Sequence, residues 1–192
     1  MASARGPASS PRLAPLRAAD RTDEQRELLA RVDVSGVLGE ANVFTTLVRA
    51  PRVFRRWLAF GGTLLTGALP ARDRELLILR TAVNCTAPYE WGQHARIGRA
   101  AGLTDDEVAR VAHGPDADGW GLADADLLRV ADELHATRTL SDEGFARLAS
   151  RYDEGQVIEA LLVVGHYELL AMTLNALGVA PDEGLEPLPE TR

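Results

Sequence analysis

Apolar residues recur at spacings of three and four along most of this chain, and convincing alternation of apolar and polar residues with period two is missing. That period predicts helices rather than strands. Residues 22–32 and 41–49 read as two short helices. Pro51 opens the next, carrying Val53, Phe54, Trp57, Leu58 and Phe60, and Pro70 opens another in which Leu76, Leu79 and Val83 repeat at helical spacing. Proline suits a first turn because the missing N–H would have no helical partner there. Pro88 begins a further helix, and Gly102 stands where a left-handed residue would end it. Thr104 and Glu107 form a capping box flanked by Leu103 and Val108, so a helix starts there and ends near His113-Gly114-Pro115. Helices over residues 123–137 and 142–151 follow, then a long apolar one from Gly155 to Leu177, closed by Gly178. The expected class is all-α, a compact helical bundle.

The two ends read differently. Residues 1–20 hold Pro, Ser, Ala and Arg with no acid before Asp20, which predicts a disordered tail; an arginine-rich transit peptide is the lesser alternative. Residues 181–192 hold three prolines and four acids, and predict an extended tail laid across a neighbouring subunit. A single domain over residues 21–180 is expected between them.

The stretch Tyr89-Glu90-Trp91-Gly92-Gln93-His94 is the most informative. Glu90 and His94 are one helical turn apart and share a face with Ile97 and Ala101, while Gln93, Arg96 and Arg99 take the opposite face. A carboxyl and an imidazole on an inward stripe cost free energy unless they serve each other or a ligand. The bland reading is a helix-supporting pair worth roughly 0.2–0.5 kcal/mol. Glu75 heads a second apolar stripe, followed by Ile78, Leu79 and Ala82, which is out of place on a surface helix; its bland reading is a local pair with Arg72. His166 shares a face with Glu159, Leu162, Val163 and Leu170 and reads either as a satisfied core histidine or as a pocket wall. Tyr89 and Trp91 flank Glu90 as core, interface or substrate contacts. His113 and His135 fall near helix ends and carry no assigned chemistry.

Composition narrows the chemistry. The net charge of −7 argues against nucleic acid as the main partner. The longest apolar stretches, Leu161 to Val164 and Leu169 to Met172, are broken by Gly165, His166 and Glu168, so no membrane span is expected. All 21 basic residues are Arg, which excludes a lysine Schiff base, lysine-held pyridoxal phosphate and a phosphate-binding lysine loop. One cysteine, Cys85, gives no internal disulfide, no redox pair and no paired-cysteine metal half-site, and fits a reducing cytoplasm. The donors Glu75, Glu90, His94 and His166 lack the spacing of a familiar metal motif, so no metal and no cofactor are expected.

The run Arg72-Asp73-Arg74-Glu75-Leu76-Leu77-Ile78-Leu79-Arg80, followed by Tyr89-Glu90-Trp91-Gly92-Gln93-His94, strongly resembles the carboxymuconolactone decarboxylase family of the AhpD-like superfamily. The likeness runs from Asn42-Val43-Phe44 to Asn175-Ala176-Leu177-Gly178-Val179. The peroxidase branch of that superfamily carries a CxxC-x3-His motif with an upstream Glu. Its two cysteines would fall on Ala87 and Glu90, and Cys85 is two residues off the first. The resemblance therefore implies site roles for Glu75, Glu90 and His94 without thiol peroxidase activity. It also implies a helical fold assembling into homotrimers or homohexamers, with sites near subunit interfaces.

The resulting expectation is a cofactor-independent lyase that decarboxylates a small unsaturated carboxylate or lactone. His94 would be the acid, Glu90 would set its orientation and pKa, and Glu75 would relay a proton. Tyr89, Trp91 and His166 would contact substrate, and Arg72 or Arg96 would hold its carboxylate. Two alternatives stand beside it: an isomerase, hydratase or cyclase on the same scaffold, and a non-catalytic ligand-binding protein.

Overall fold

The computed structural model describes residues 11–32 and 38–190. Among these, nine α-helices and two short 3-10 turns account for the regular structure, with no strand. The helices are α1 (Asp23–Val32), α2 (Asn42–Leu47), α3 (Pro51–Leu65), α4 (Ala71–Asn84), α5 (Pro88–Ala100), α6 (Asp105–Val111), α7 (Leu122–Thr137), α8 (Asp142–Ala149) and α9 (Glu154–Leu177).

Helix α4 is the axis of the molecule. Asp73 to Leu79, Thr81, Ala82 and Val83 are all buried, so the helix is covered on nearly every side, by α5, α6, α7 and α9. A helix surrounded in this way has an apolar circumference rather than a stripe. Its charged residues are tied to its neighbours. Arg72 pairs with Asp124 and Glu107, Arg80 with Asp132, and Asp73 accepts from Tyr152 and Arg151. These contacts anchor both ends of α4, so Glu75, one turn in, is held in the interior.

The caps explain where the helices begin and end. Thr104 and Glu107 make the reciprocal capping box predicted for α6, and Asp153 with Gln156 makes a second one at the start of α9. Gly178 ends α9 at φ +67°, with the Val179 N–H reaching back to the Leu174 carbonyl at 3.0 Å.

Three expectations change. Residues 11–20 are mostly exposed but are held at a few points: Leu16 is buried beside Leu28, Leu29, Val48 and Phe54, and the Arg12 N–H donates to the Leu177 carbonyl. The first ten residues of that predicted tail lie outside the described residues. The C-terminal segment lies on its own chain. Asp182 accepts from the Asn42 backbone, Tyr89 and Gln93, and Glu186 pairs with Arg99. Gly92 makes this docking possible, because a Cβ there would meet Leu185 Cβ at 2.9 Å. Finally, α9 is long and apolar enough to cross a membrane by length and composition, with a mean hydropathy of 1.6 over its best window. Single polar residues such as His166 do not outweigh their apolar neighbours. Half of that window is buried in the fold, as expected of a core helix.

Candidate active site

Helices α4 and α5 pack side by side and bring Glu75 and His94 together across nineteen residues of sequence. His94 Nδ1 lies 2.6 Å from Glu75 Oε2. The other carboxylate oxygen, Oε1, accepts from Arg74 Nε at 3.1 Å. Glu75 is 0% exposed and His94 7%. The result is a chain Arg74–Glu75–His94 in which every Glu75 oxygen is engaged and the imidazole is pinned through Nδ1. Its Nε2 makes no hydrogen bond among the described residues. A carboxylate on Nδ1 fixes the tautomer and the orientation of the ring.

Glu90 also points inward, as predicted, but does not serve His94. It is 2% exposed, and neither carboxyl oxygen has a partner among the described residues. Burial pushes its pKa well above the usual carboxylate range, so the neutral form is favoured. The carboxylate in contact with His94 is therefore Glu75 and not the expected Glu90. Residues four apart on one helix lie near each other, but their side chains follow the packing around them. Here the interhelical partner wins.

His166 lies against aromatic rings. Its ring stacks on Trp57 with centroids 6.2 Å apart, and meets Phe60 and Tyr167 edge-on, each at 5.4 Å. Tyr167 in turn meets the His94 ring edge-on at 4.8 Å, so one phenol separates the two imidazoles. His166 makes no hydrogen bond among the described residues, and burial, followed by repulsion from His94, lowers its pKa. It also lines an apolar groove of about 1200 Å³ between α3 and α9, with Val53, Trp57, Phe60, Leu162 and Leu169. Gly61 permits this approach, since a Cβ there would stand 3.2 Å from His166 Nε2. Glu75, Glu90 and His94 do not line the groove; His166 and Tyr167 stand between it and the pair.

Other expected contacts are placed elsewhere. The Tyr89 hydroxyl donates to Asp182 at 2.6 Å and accepts from the Val43 N–H, so it holds the C-terminal segment. Trp91 is a core residue, 1% exposed, whose indole N–H has no partner among the described residues. Arg72 is bound bidentately by Asp124 at 2.9 Å and by Glu107, and is not free to hold a substrate carboxylate. Arg96 is exposed and donates to Gln93. Arg74, Tyr167, Trp57 and Phe60 were not predicted as site residues. The signal for Arg74 is an arginine directly beside Glu75 at the head of the apolar run Leu76 to Leu79. The pKa of the Cys85 thiol is pushed up to about 12, by burial and then by the charge of Glu168, which leaves it a poor nucleophile at neutral pH.

Residues 51–133 match the model of the carboxymuconolactone decarboxylase family. No curated protein matches the chain. Among solved structures, the fold is similar to the alkylhydroperoxidase AhpD core of an uncharacterized peroxidase-related protein from Ralstonia eutropha JMP134. That match has 20% identity and a TM-score of 0.74, and covers 89% of this chain and 93% of the other. A peroxidase-related protein from Silicibacter sp. TM1040 is 12% identical with a TM-score of 0.73, covering 94% of each chain. The debrominase Bmp8, in complex with 2,3,4-tribromopyrrole, is 16% identical with a TM-score of 0.67, covering 89% of this chain and 91% of the other. At these identities the structures speak for the fold alone.

Proposed function

We propose that this chain, whose residues 51–133 match the carboxymuconolactone decarboxylase family model, is an acid/base lyase that releases carbon dioxide from a small unsaturated lactone acid. The observation that carries this reading is the buried 2.6 Å contact between Glu75 and His94, with no hydrogen bond to Nε2 of the imidazole among the described residues. In the reaction the bond between ring carbon and carboxylate carbon breaks, carbon dioxide leaves, and the electron pair enters the conjugated carbonyl as a dienolate. His94 Nε2–H gives its proton to carbon and is reprotonated from solvent. Glu75 is a positioning residue, held by Arg74, that keeps the proton of Nδ1 in place and stabilises the imidazolium. Glu90, kept neutral by burial, adds no charge against an anionic substrate. On this reading the substrate enters from the groove with its apolar part against Trp57 and Phe60, and the rings of His166 and Tyr167 turn aside for it to reach His94 Nε2.

One observation favours an isomerase as the second reading. A second imidazole, His166, lies one ring away from His94, and two bases can move a proton between two carbons of the same substrate. The same groove also supports self-association as a homotrimer or homohexamer, since Val53, Phe60, Leu162 and Leu169 leave apolar surface exposed there.

The test is carbon dioxide release from a carboxylated muconolactone by wild type and by His94→Gln, with circular dichroism to confirm folding. Release that His94→Gln removes supports the reading. Folded wild-type protein that consumes the lactone without releasing carbon dioxide moves the assignment to the isomerase, and no turnover at all rejects this substrate.

A further inference from the structure

A second cluster of donors lies outside the site. Cys85 caps the C-terminus of α4, His135 is in the last turn of α7, and Glu168 is near the middle of α9. Cys85 Sγ is 3.8 Å from His135 Nδ1, which is 2.8 Å from Glu168 Oε1. All three donor atoms lie within 4.8 Å of one another. A tetrahedral ion with the usual metal–sulfur, metal–nitrogen and metal–oxygen lengths spaces its donors roughly 3.3–3.6 Å apart. The two measured separations bracket that range.

The arrangement does not suit a nucleophilic relay. A relay uses one imidazole nitrogen for the nucleophile and the other for the orienting carboxylate. Here thiol and carboxylate both approach Nδ1, so the three donors share one point rather than form a line. Sharing one point is the geometry of a common ligand. Thiolate, imidazole and carboxylate together suit zinc and its transition-metal neighbours, whereas calcium and magnesium take oxygen donors. The surroundings hold the donors in place. Asn175 Nδ2 donates to the carbonyls of Cys85 and Thr86, and Arg138 Nη1 lies 2.9 Å from each Glu168 oxygen. Arg138 would thus orient the carboxylate from outside the first layer of donors, as such partners do in metal sites. Thr86 and Arg138 are also the two non-glycine residues with positive φ among the described residues.

We propose that Cys85, His135 and Glu168 form a binding site for one divalent ion of the zinc class, with three protein donors and a fourth position open to solvent. All three side chains are partly exposed, which leaves that position accessible. On binding, the thiol proton is released to solvent and the ion takes the place of the hydrogen bond between His135 Nδ1 and Glu168 Oε1, the imidazole keeping one proton on Nε2; the ion ties the ends of α4 and α7 to α9.

The experiment titrates the full-length protein, stripped with chelator, with cobalt(II) alone. Cys85 is the only cysteine, so a thiolate-to-cobalt charge-transfer band in the near ultraviolet reports this site and no other. The expected result is a band that saturates at one equivalent and a melting temperature that rises with added ion. Cys85→Ser abolishes the band. His135→Ala and Glu168→Gln each weaken binding at least as much as the loss of an outer partner, about 10–100-fold. Absence of the band at saturating cobalt in wild type overturns the proposal. So does a band whose strength and affinity survive both His135→Ala and Glu168→Gln.

Discussion

Glu75 on α4 and Glu90 on α5 are both sealed from solvent, yet their surroundings differ sharply. Glu75 has Arg74 on one oxygen and His94 on the other; among the described residues, Glu90 has no partner on either. The first arrangement is a buried charge network in which attraction and hydrogen bonds offset desolvation. The second leaves desolvation unopposed, and the carboxyl answers it by holding its proton. Burial alone therefore does not assign a role to an acid. The partner set does, and it separates the group that orients the imidazole from the group that stays neutral beside it.

The sharpest way to break this comparison is at the imidazole itself. His94→Gln should lower kcat by about two to four orders of magnitude if Nε2 is the proton donor, measured as carbon dioxide release. Glu90→Gln, which keeps a neutral side chain of the same shape, should lower it by less than about tenfold; that limit is below the usual contribution of a general acid. Equal losses in the two variants would erase the distinction.

Stability sharpens the comparison next. Glu75→Ala leaves Arg74 buried without its carboxylate and should cost roughly 3–5 kcal/mol in urea unfolding. Gly92→Ala, on the turn between Glu90 and His94, forces a Cβ against Leu185. It should cost about 1–3 kcal/mol, as overpacking does, and loosen residues 181–190 to proteolysis. A neutral outcome there would mean that the outer face of α5 does not bear on the site.

The smallest effect expected is also the most diagnostic in sign. Glu90 has a folded pKa raised above its unfolded value, so above the unfolded value near 4.5 the folded state binds the extra proton. Its contribution is present at low pH and lost as pH rises toward the folded pKa. Glu90→Gln has no proton to lose. The stability of Glu90→Gln relative to wild type should therefore grow from pH 4 to pH 8, read from paired urea melts. A difference that is flat or falls over that range would mean that Glu90 is charged and partnered.

Much of the fold was legible because its signals are local. Prolines 51 and 88 sit in first turns, Thr104 and Glu107 cap α6, and Gly178 ends α9, all within one turn of where the pattern put them. The packing of residues 11–20 was not legible, since it depends on Leu16 and on backbone bonds to Thr45 and Leu177, which leave no period in the sequence. At the site, inward stripes marked Glu75, Glu90, His94 and His166 as buried. What they could not mark was who pairs with whom. The His94–Glu75 contact depends on how α4 lies against α5, and the surroundings of His166 depend on how α3 crosses α9. The same limit explains Tyr89, whose hydroxyl is claimed by Asp182, 93 residues away.

The most direct measurement of the central claim is the tautomer of His94, from long-range nitrogen–proton correlation spectra of the imidazoles at about pH 8, where histidine is ordinarily neutral. The account predicts a proton on Nδ1 in wild type, retained in Glu90→Gln and lost in Glu75→Leu. A wild-type His94 with its proton on Nε2 and none on Nδ1, or one that Glu90→Gln changes and Glu75→Leu leaves alone, would contradict it.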